Sequence, residues 1–151
     1  MKKYMLCFVC LLLLLTACQQ SDQQSAESPQ LIEANEQKIP SSKDNLTIST
    51  KKEQYNTTDQ TITVLFQNDS DKEFTYGAAF SLEKNIDGTW YALPFKEGTA
   101  FIEIAYILPA HKTTSETYSL ALLKDKLSPG HYRIVQQFGS MKLAAPFEMV
   151  D

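Results

Sequence analysis

The sequence has little of what catalytic sites are built from. Its 151 residues include three cysteines, two histidines and five glycines, and every cysteine lies within the first eighteen residues. Five scattered glycines do not form the glycine-rich loop that cradles a nucleotide phosphate. An excess of basic residues is also missing, because 14 Lys and Arg stand against 18 Asp and Glu. Nucleic-acid binding requires positive charge to neutralise phosphates, so we expect no nucleic-acid partner.

Metal ligands are equally sparse. His111 and His131 are 20 residues apart, with no cysteine nearby, whereas a tetrahedral zinc site takes four ligands. The acidic stretch 68–73 lacks the glycine and the distal glutamate of an EF-hand loop. We therefore expect no metal, no cofactor and no catalytic residue, and thus no enzyme. The histidines are interpreted as exposed turn residues, and residues 68–73 as a solvated connection between strands.

A long apolar run is present at the N-terminus. It follows two lysines and spans residues 4–15, about 12 residues, whereas a transmembrane helix needs about 20. This pattern is typical of a secretory signal peptide. The run ends in Leu15-Thr16-Ala17-Cys18, which resembles the lipobox of bacterial lipoproteins. The resemblance implies that residues 1–17 are removed and that Cys18 carries two or three acyl chains, anchoring the protein to the outer face of the cytoplasmic membrane.

The remaining chain divides into a tether and one domain. Residues 18–44 are rich in glutamine and serine and contain no aromatic residue, which predicts a flexible linker. In residues 45–151 apolar residues alternate with threonine and serine, the period of half-buried strands, and Asp87-Gly88 indicates a hairpin. Seven or eight short strands predict an all-β sandwich. Four of these strands are expected after the hairpin, at residues 101–107, 115–122, 131–138 and 143–149.

Three local patterns carry a family resemblance. They are a Tyr76-Gly77 strand followed by Trp90, a Leu-Pro-Ala-His turn at 108–111, and the run Pro129-Gly130-His131-Tyr132. In this order they resemble the bacterial immunoglobulin-like domains of lipoproteins from Bacillus-type Gram-positive bacteria. The resemblance implies an immunoglobulin-like antiparallel sandwich and an extracytoplasmic setting, and it implies no particular activity.

Four residues are expected to hold this fold together. A tight Pro129-Gly130 turn would deliver Tyr132 to the start of a strand, the position of a tyrosine corner, in which the hydroxyl bonds to main chain a few residues upstream. Trp90 is predicted to be a core ring between the two sheets. It would pack on aliphatic side chains, because no cysteine pair exists to bridge the sheets.

These features predict a membrane-anchored, extracytoplasmic, non-catalytic module that binds a protein or another envelope component. Two alternatives stay open. An immunoglobulin-like proteinase inhibitor would need a fixed exposed loop, for which residues 96–101 and 111–115 are the candidates. A cell-wall glycan binder would present an exposed strip of aromatic rings. The candidate rings are Tyr91, Phe95, Phe101 and Tyr106.

Overall fold

Two β-sheets account for most of the regular structure in residues 31–151, the part of the chain that the computed structural model describes. The predicted signal peptide, Cys18 and the first part of the predicted tether lie outside the described residues. The strands are β1 (Ile32–Glu33), β2 (Ser42–Lys43), β3 (Leu46–Thr50), β4 (Gln54–Asn56), β5 (Thr61–Asn68), β6 (Phe74–Ile86), β7 (Thr89–Ala92), β8 (Tyr106–Leu108), β9 (Lys112–Ser119), β10 (Gly130–Phe138) and β11 (Met141–Val150).

The strands form a two-layer sandwich, which confirms the predicted all-β fold class. The larger sheet has the order β1-β7-β6-β10-β11-β4, with β8 paired to a second stretch of β6. The smaller sheet has the order β2-β3-β5-β9. Every pair is antiparallel except β4 with β11. Within residues 31–151 no helix is long and apolar enough to span a membrane.

The core lies between the sheets and is filled by alternate residues of each strand. In β5, Ile62, Val64 and Phe66 are completely buried, while their neighbours in sequence are exposed or half-buried. The ring of Phe66 meets the rings of Tyr76 and Phe138 edge to face, at centroid distances of 5.0 and 5.1 Å. Each such buried side chain contributes roughly 1.5–3 kcal/mol of hydrophobic stabilisation, in a stretch, residues 31–151, that contains no cysteine.

The Asp87-Gly88 turn joins β6 to β7, as predicted. Both residues have positive φ, 51° and 89°, the backbone conformation that a two-residue hairpin loop requires. The side chain of Asn85 accepts a hydrogen bond from the Gly88 amide at 3.0 Å. The turn therefore fixes the register of β7 on β6, which decides where Trp90 points.

Two of the predicted strands have different bounds. In the predicted strand 101–107 only the last residues form one, because the Ile104 amide donates to the Ile102 carbonyl at 3.1 Å in a tight turn. In the predicted strand 115–122, β9 ends at Ser119 and a 3-10 turn, Leu120–Leu122, follows. The side chain of Ser119 accepts a hydrogen bond from the Ala121 amide and caps this turn.

The compact unit of the structure begins at Leu31, whereas the sequence predicts a domain from residue 45. Residues 34–41, here called the N-terminal strap, cross the outer face of the larger sheet. The Pro40 carbonyl accepts from the Ala144 amide at 2.9 Å, and the Ser41 carbonyl accepts from the Ile48 amide at 2.8 Å. These contacts use main-chain groups, which every residue carries. The composition of residues 31–44 therefore does not reveal them, and it predicts a free linker instead.

Candidate functional site

Tyr132 forms a tyrosine corner at the start of β10. Its hydroxyl donates to the Ser128 carbonyl oxygen, four residues upstream, at 2.7 Å. The ring is almost fully buried and stacks on Phe147 with a centroid distance of 5.7 Å. Lys84 covers the ring from β6 and donates to the Ser128 side chain at 2.7 Å. Together these contacts hold the last part of the segment between β9 and β10.

Gly130 has a backbone conformation that suits glycine. Its φ is +144°, a value that residues with a Cβ rarely adopt. Pro129 precedes it outside any strand, and Gly130 begins β10. The Pro129-Gly130 pair therefore sets the direction in which the chain enters the strand that carries Tyr132.

Trp90 does not lie between the two sheets, so this prediction is wrong. Trp90 pairs with Asn85 and lies on the outer face of the larger sheet, half-buried under the guanidinium group of Arg133 at 4.3 Å. All four residues of β7 are half-buried, so burial does not alternate along this strand. The sequence of β7 therefore does not indicate on which face of the sheet Trp90 lies. The ring still has a structural role, because a cation over an aromatic face is an attractive contact.

Arg133 and Glu83 form a buried ion pair on the same outer face. The Arg133 Nε and Nη2 atoms each lie 2.6 Å from Glu83 Oε2, and the two side chains are only 4% and 8% exposed. Arg133 also donates to the carbonyl oxygens of Glu36 and Gln37 in the N-terminal strap, at 2.6 and 3.1 Å. The ion pair therefore attaches the strap to the domain.

Gln37 also attaches the strap, because its side-chain amide pairs with the main chain of β7 as a neighbouring strand would. Its side-chain oxygen accepts from the Trp90 amide at 2.8 Å, and its nitrogen donates to the Trp90 carbonyl at 3.1 Å. The amide of Ala34, the one buried apolar residue of the strap, donates to the same carbonyl at 2.9 Å. The strap thus continues the pairing of β1 along β7, and its carbonyls cover the Arg133 side chain, which is 4% exposed.

The stretch 68–73 is solvated only in part. Asn68 is completely buried and Ser70 is nearly so, whereas the charged residues around them are exposed. The Asn68 side chain donates to the carbonyls of Lys72 and Pro109 at 2.7 and 2.9 Å, and it accepts from the Ser70 hydroxyl at 2.7 Å. Asn68 therefore joins two loops at this end of the sandwich.

Neither histidine lies in a cluster of metal ligands. His111 contacts Asp71 at 2.9 Å across these two exposed loops, and His131 is exposed in β10. Within residues 31–151 no group of three His, Cys, Asp or Glu side chains could hold a metal ion.

The four aromatic residues do not form an exposed strip. Phe95 and Phe101 pack against Phe80 at centroid distances of 5.3 and 5.4 Å, and Phe80 packs against Tyr118 at 4.3 Å. Tyr106 packs on Tyr76, and Tyr91 is half-buried. The segment between β7 and β8 therefore turns its rings inward and closes one edge of the sandwich.

Two tyrosines of this edge are hydrogen-bonded inside the sandwich. Burial, followed by the hydrogen bond to Glu116 at 2.7 Å, raises the pKa of Tyr76. Burial, followed by the charge of Glu116, raises the pKa of Tyr118, whose hydroxyl donates to Gln136 at 2.8 Å. Both hydroxyls keep their protons at neutral pH, and they serve as structural donors.

The segments proposed for proteinase inhibition differ from each other in structure. Residues 112–115 belong to β9, which leaves His111 as the turn residue of the second candidate. Residues 96–99 form a turn in which the Thr99 amide donates to the Lys96 carbonyl at 3.1 Å. The first candidate is therefore the only one of the two that is a loop along most of its length.

Three exposed isoleucines lie on the outer side of the segment that carries Phe101. Ile102, Ile104 and Ile107 are 67%, 42% and 58% exposed, and we call this set the isoleucine ridge. The three isoleucines lie within six residues of sequence, and exposed apolar patches mark interaction surfaces more often than single exposed residues do. Phe101 and Tyr106 point inward on the same segment, so they anchor the ridge to the core.

The two-layer antiparallel sandwich and the tyrosine corner together define an immunoglobulin-like β-sandwich. The family model for the bacterial Ig-like domain matches residues 42–148. The chain belongs to the bacterial Ig-like domain family. No curated protein sequence matches the chain.

Solved structures with similar folds are distant. An alkylpurine DNA glycosylase of Pseudomonas fluorescens is 13% identical, with a TM-score of 0.43, over 73% of this chain and 32% of its own. A β-glucosidase of Erythrobacter marinus is 15% identical, with a TM-score of 0.39, over 68% of this chain and 15% of its own. The chain spans about a third or less of these proteins, and at these TM-scores the likeness supports no conclusion about its function.

Proposed function

We propose that the protein is a membrane-anchored, extracytoplasmic lipoprotein whose single Ig-like domain binds a protein partner without catalysis. The observation that carries the binding role is the isoleucine ridge. A rigid sandwich can present such a surface without any reactive group. Membership of the bacterial Ig-like family supports a non-catalytic module.

The proposed anchor rests on the sequence around Cys18. A positive start, an apolar run of about 12 residues and a Leu-Thr-Ala-Cys ending occur in the order that lipoprotein export requires. Two acyl chains hold a protein on a membrane, whereas one binds only marginally. The folded unit begins at Leu31, so 12 residues lie between it and Cys18, and the 13 Cα–Cα steps reach at most about 45 Å when extended. The domain therefore works close to the membrane surface.

The proposed binding surface rests on the construction of the ridge. Burying a fully exposed isoleucine side chain contributes roughly 1.5–3 kcal/mol, and these three are 42–67% exposed, so the ridge supplies the apolar centre of an interface and surrounding contacts supply the rest. Glu103 lies between Ile102 and Ile104 and is exposed. Its charge would disfavour insertion into an anionic bilayer, which argues for a protein rather than lipid as the occupant of the ridge.

A crosslinking experiment tests the binding surface. A photoreactive amino acid in place of Glu103 is expected to capture one discrete protein in intact cells. The double variant Ile102→Ser/Ile107→Ser is expected to reduce this adduct at least fivefold, because it removes most of the apolar contact area. The measurement is adduct intensity after purification, with the captured protein identified by mass spectrometry.

The matched control is Ile86→Ser, which replaces an exposed isoleucine at the β6–β7 hairpin. We expect this variant to leave the adduct unchanged. An adduct that persists at full intensity when the ridge carries serines would contradict the proposed surface. The absence of any adduct at residue 103 would do the same.

A further inference from the structure

One end of the sandwich contains a cavity of about 460 Å³. One side is made by residues 57–60, which precede β5, and the other by residues 120–127, which follow β9. Leu120, Leu123 and Leu127 supply an apolar floor. The volume lies within the range of roughly 300–1,000 Å³ that is usual for small-molecule sites.

Main-chain hydrogen bonds fix both sides of this cavity. The Leu120 amide donates to the Gln60 carbonyl at 2.9 Å and joins one side to the other. The Lys96 amide donates to the Leu122 carbonyl at 2.8 Å, and the Lys124 amide donates to the Pro94 carbonyl at 3.0 Å. The tyrosine corner at Ser128 holds the far end of the same segment. A site fixed in this way does not have to be ordered when a ligand binds.

The charge of the cavity is opposite to that of the chain. The whole sequence carries a formal charge of −4, yet Lys96, Lys124 and Lys126 all line this one cavity. Two carboxylates line it as well, and Asp59 is paired with Lys52 at 3.8 Å. Among residues 31–151 none of the three lysines forms an ion pair with an acidic side chain, and Asp125 is the one lining carboxylate that no ion pair holds.

We infer that this end cavity binds a phosphate ester. Lysine ammonium groups bind phosphate as point charges, and three of them match a doubly charged group. The hydroxyl groups of Thr57 and Thr58 add hydrogen-bond donors on the opposite side. The leucine floor offers apolar contact to the carbon skeleton of the ester, which a bare inorganic ion would leave unused. The inference rests on residues 31–151 alone and does not require the lipid anchor.

A titration tests this inference with the full chain in a non-ionic detergent. sn-Glycerol 3-phosphate is expected to bind saturably and to shift the backbone amide resonances of residues 120–127. A cavity variant in which three lysines become glutamine should weaken this binding at least tenfold. A control variant removes the same charge at lysines that do not line the cavity and should weaken binding less than twofold. The cavity substitutions are Lys96→Gln, Lys124→Gln and Lys126→Gln, and the control substitutions are Lys38→Gln, Lys43→Gln and Lys112→Gln.

A second arm distinguishes a soluble ester from a lipid headgroup. The chain is placed in nanodiscs of phosphatidylcholine with or without phosphatidylglycerol, and the same resonances are followed. Saturable binding in either arm that the cavity variant loses and the control keeps supports the inference, and the responding arm identifies the source of the phosphate. The inference is overturned if the cavity variant and the control variant bind equally well. It is also overturned if the resonances of the wild type do not shift in either arm. All six lysines are exposed, so an unchanged thermal midpoint is expected and verifies folding.

Discussion

Replacing Arg133 by methionine is expected to lower the free energy of unfolding by about 3–5 kcal/mol, because the buried Glu83 carboxylate then has no partner for its charge. The carbonyls of Glu36 and Gln37 lose their donors at the same time. The N-terminal strap should therefore detach more often, and trypsin should cleave after Lys38 faster than in the wild type. Urea unfolding and limited proteolysis measure the two effects.

Two further variants separate the buried charge from simple loss of contact. The double variant Arg133→Met/Glu83→Leu removes both charges and is expected to recover most of the lost stability, since an apolar pair of similar volume needs no partner. Lys142→Gln removes a more exposed ion pair with Glu36 and should cost less than about 1 kcal/mol. An Arg133→Met protein as stable as the wild type would show that the ion pair does not attach the strap.

Replacing Asn68 by alanine is expected to cost about 2–4 kcal/mol. The change leaves the carbonyls of Lys72 and Pro109 and the amide of Ser70 without the buried side chain that pairs them. Each unsatisfied buried group costs roughly 1–3 kcal/mol, and part of this cost is relieved if water enters the loop. Equilibrium unfolding in urea measures the change.

Asn56→Ala is the matched control for this prediction. Asn56 is exposed at the end of β4, and its replacement is expected to change stability by less than about 0.5 kcal/mol. A loss that is equally small at Asn68 would mean that the two loops are not held by this side chain. A loss that is equally large at Asn56 would mean that the measurement does not resolve buried from exposed asparagine.

The fold class could be predicted because the sequence alternates in long strands. In β5 the buried residues Ile62, Val64 and Phe66 alternate with more exposed neighbours, and this period of two indicates a strand of a sandwich. The tyrosine corner could also be predicted, because the Pro129-Gly130 pair indicates a tight turn directly before Tyr132. Long strands and tight turns are therefore the features of this molecule that its sequence predicts.

The contacts that attach the strap could not be predicted in the same way. Arg133 and Glu83 are 50 residues apart, and charged residues are rarely buried unless they are paired. The strap contributes main-chain carbonyls, which composition does not reveal. Trp90 was assigned to the wrong face because β7 is four residues long and follows a turn, so that register rather than alternation decides its orientation.

The binding surfaces depend on the same long-range arrangement. Residues 101–107 have the composition of a strand, but Phe101 packs against Phe80 and leaves Ile102 and Ile104 exposed. The lysines of the end cavity come from two segments that the main-chain bond between Lys96 and Leu122 brings together. The sequence alone predicts neither the isoleucine ridge nor the end cavity, because both depend on how the segment between β7 and β8 packs against the edge of the sandwich.

The most direct measurement of the central proposal is the intact mass of the protein purified from the membrane fraction of its host. A lipidated Ig-like module predicts a chain that begins at Cys18 and is heavier than residues 18–151 by a diacylglyceryl group, with or without a third acyl chain. Cys18→Ser should abolish this modification and release any processed chain from the membrane. A chain that retains residues 1–17, or a Cys18 with a free thiol, would contradict the account.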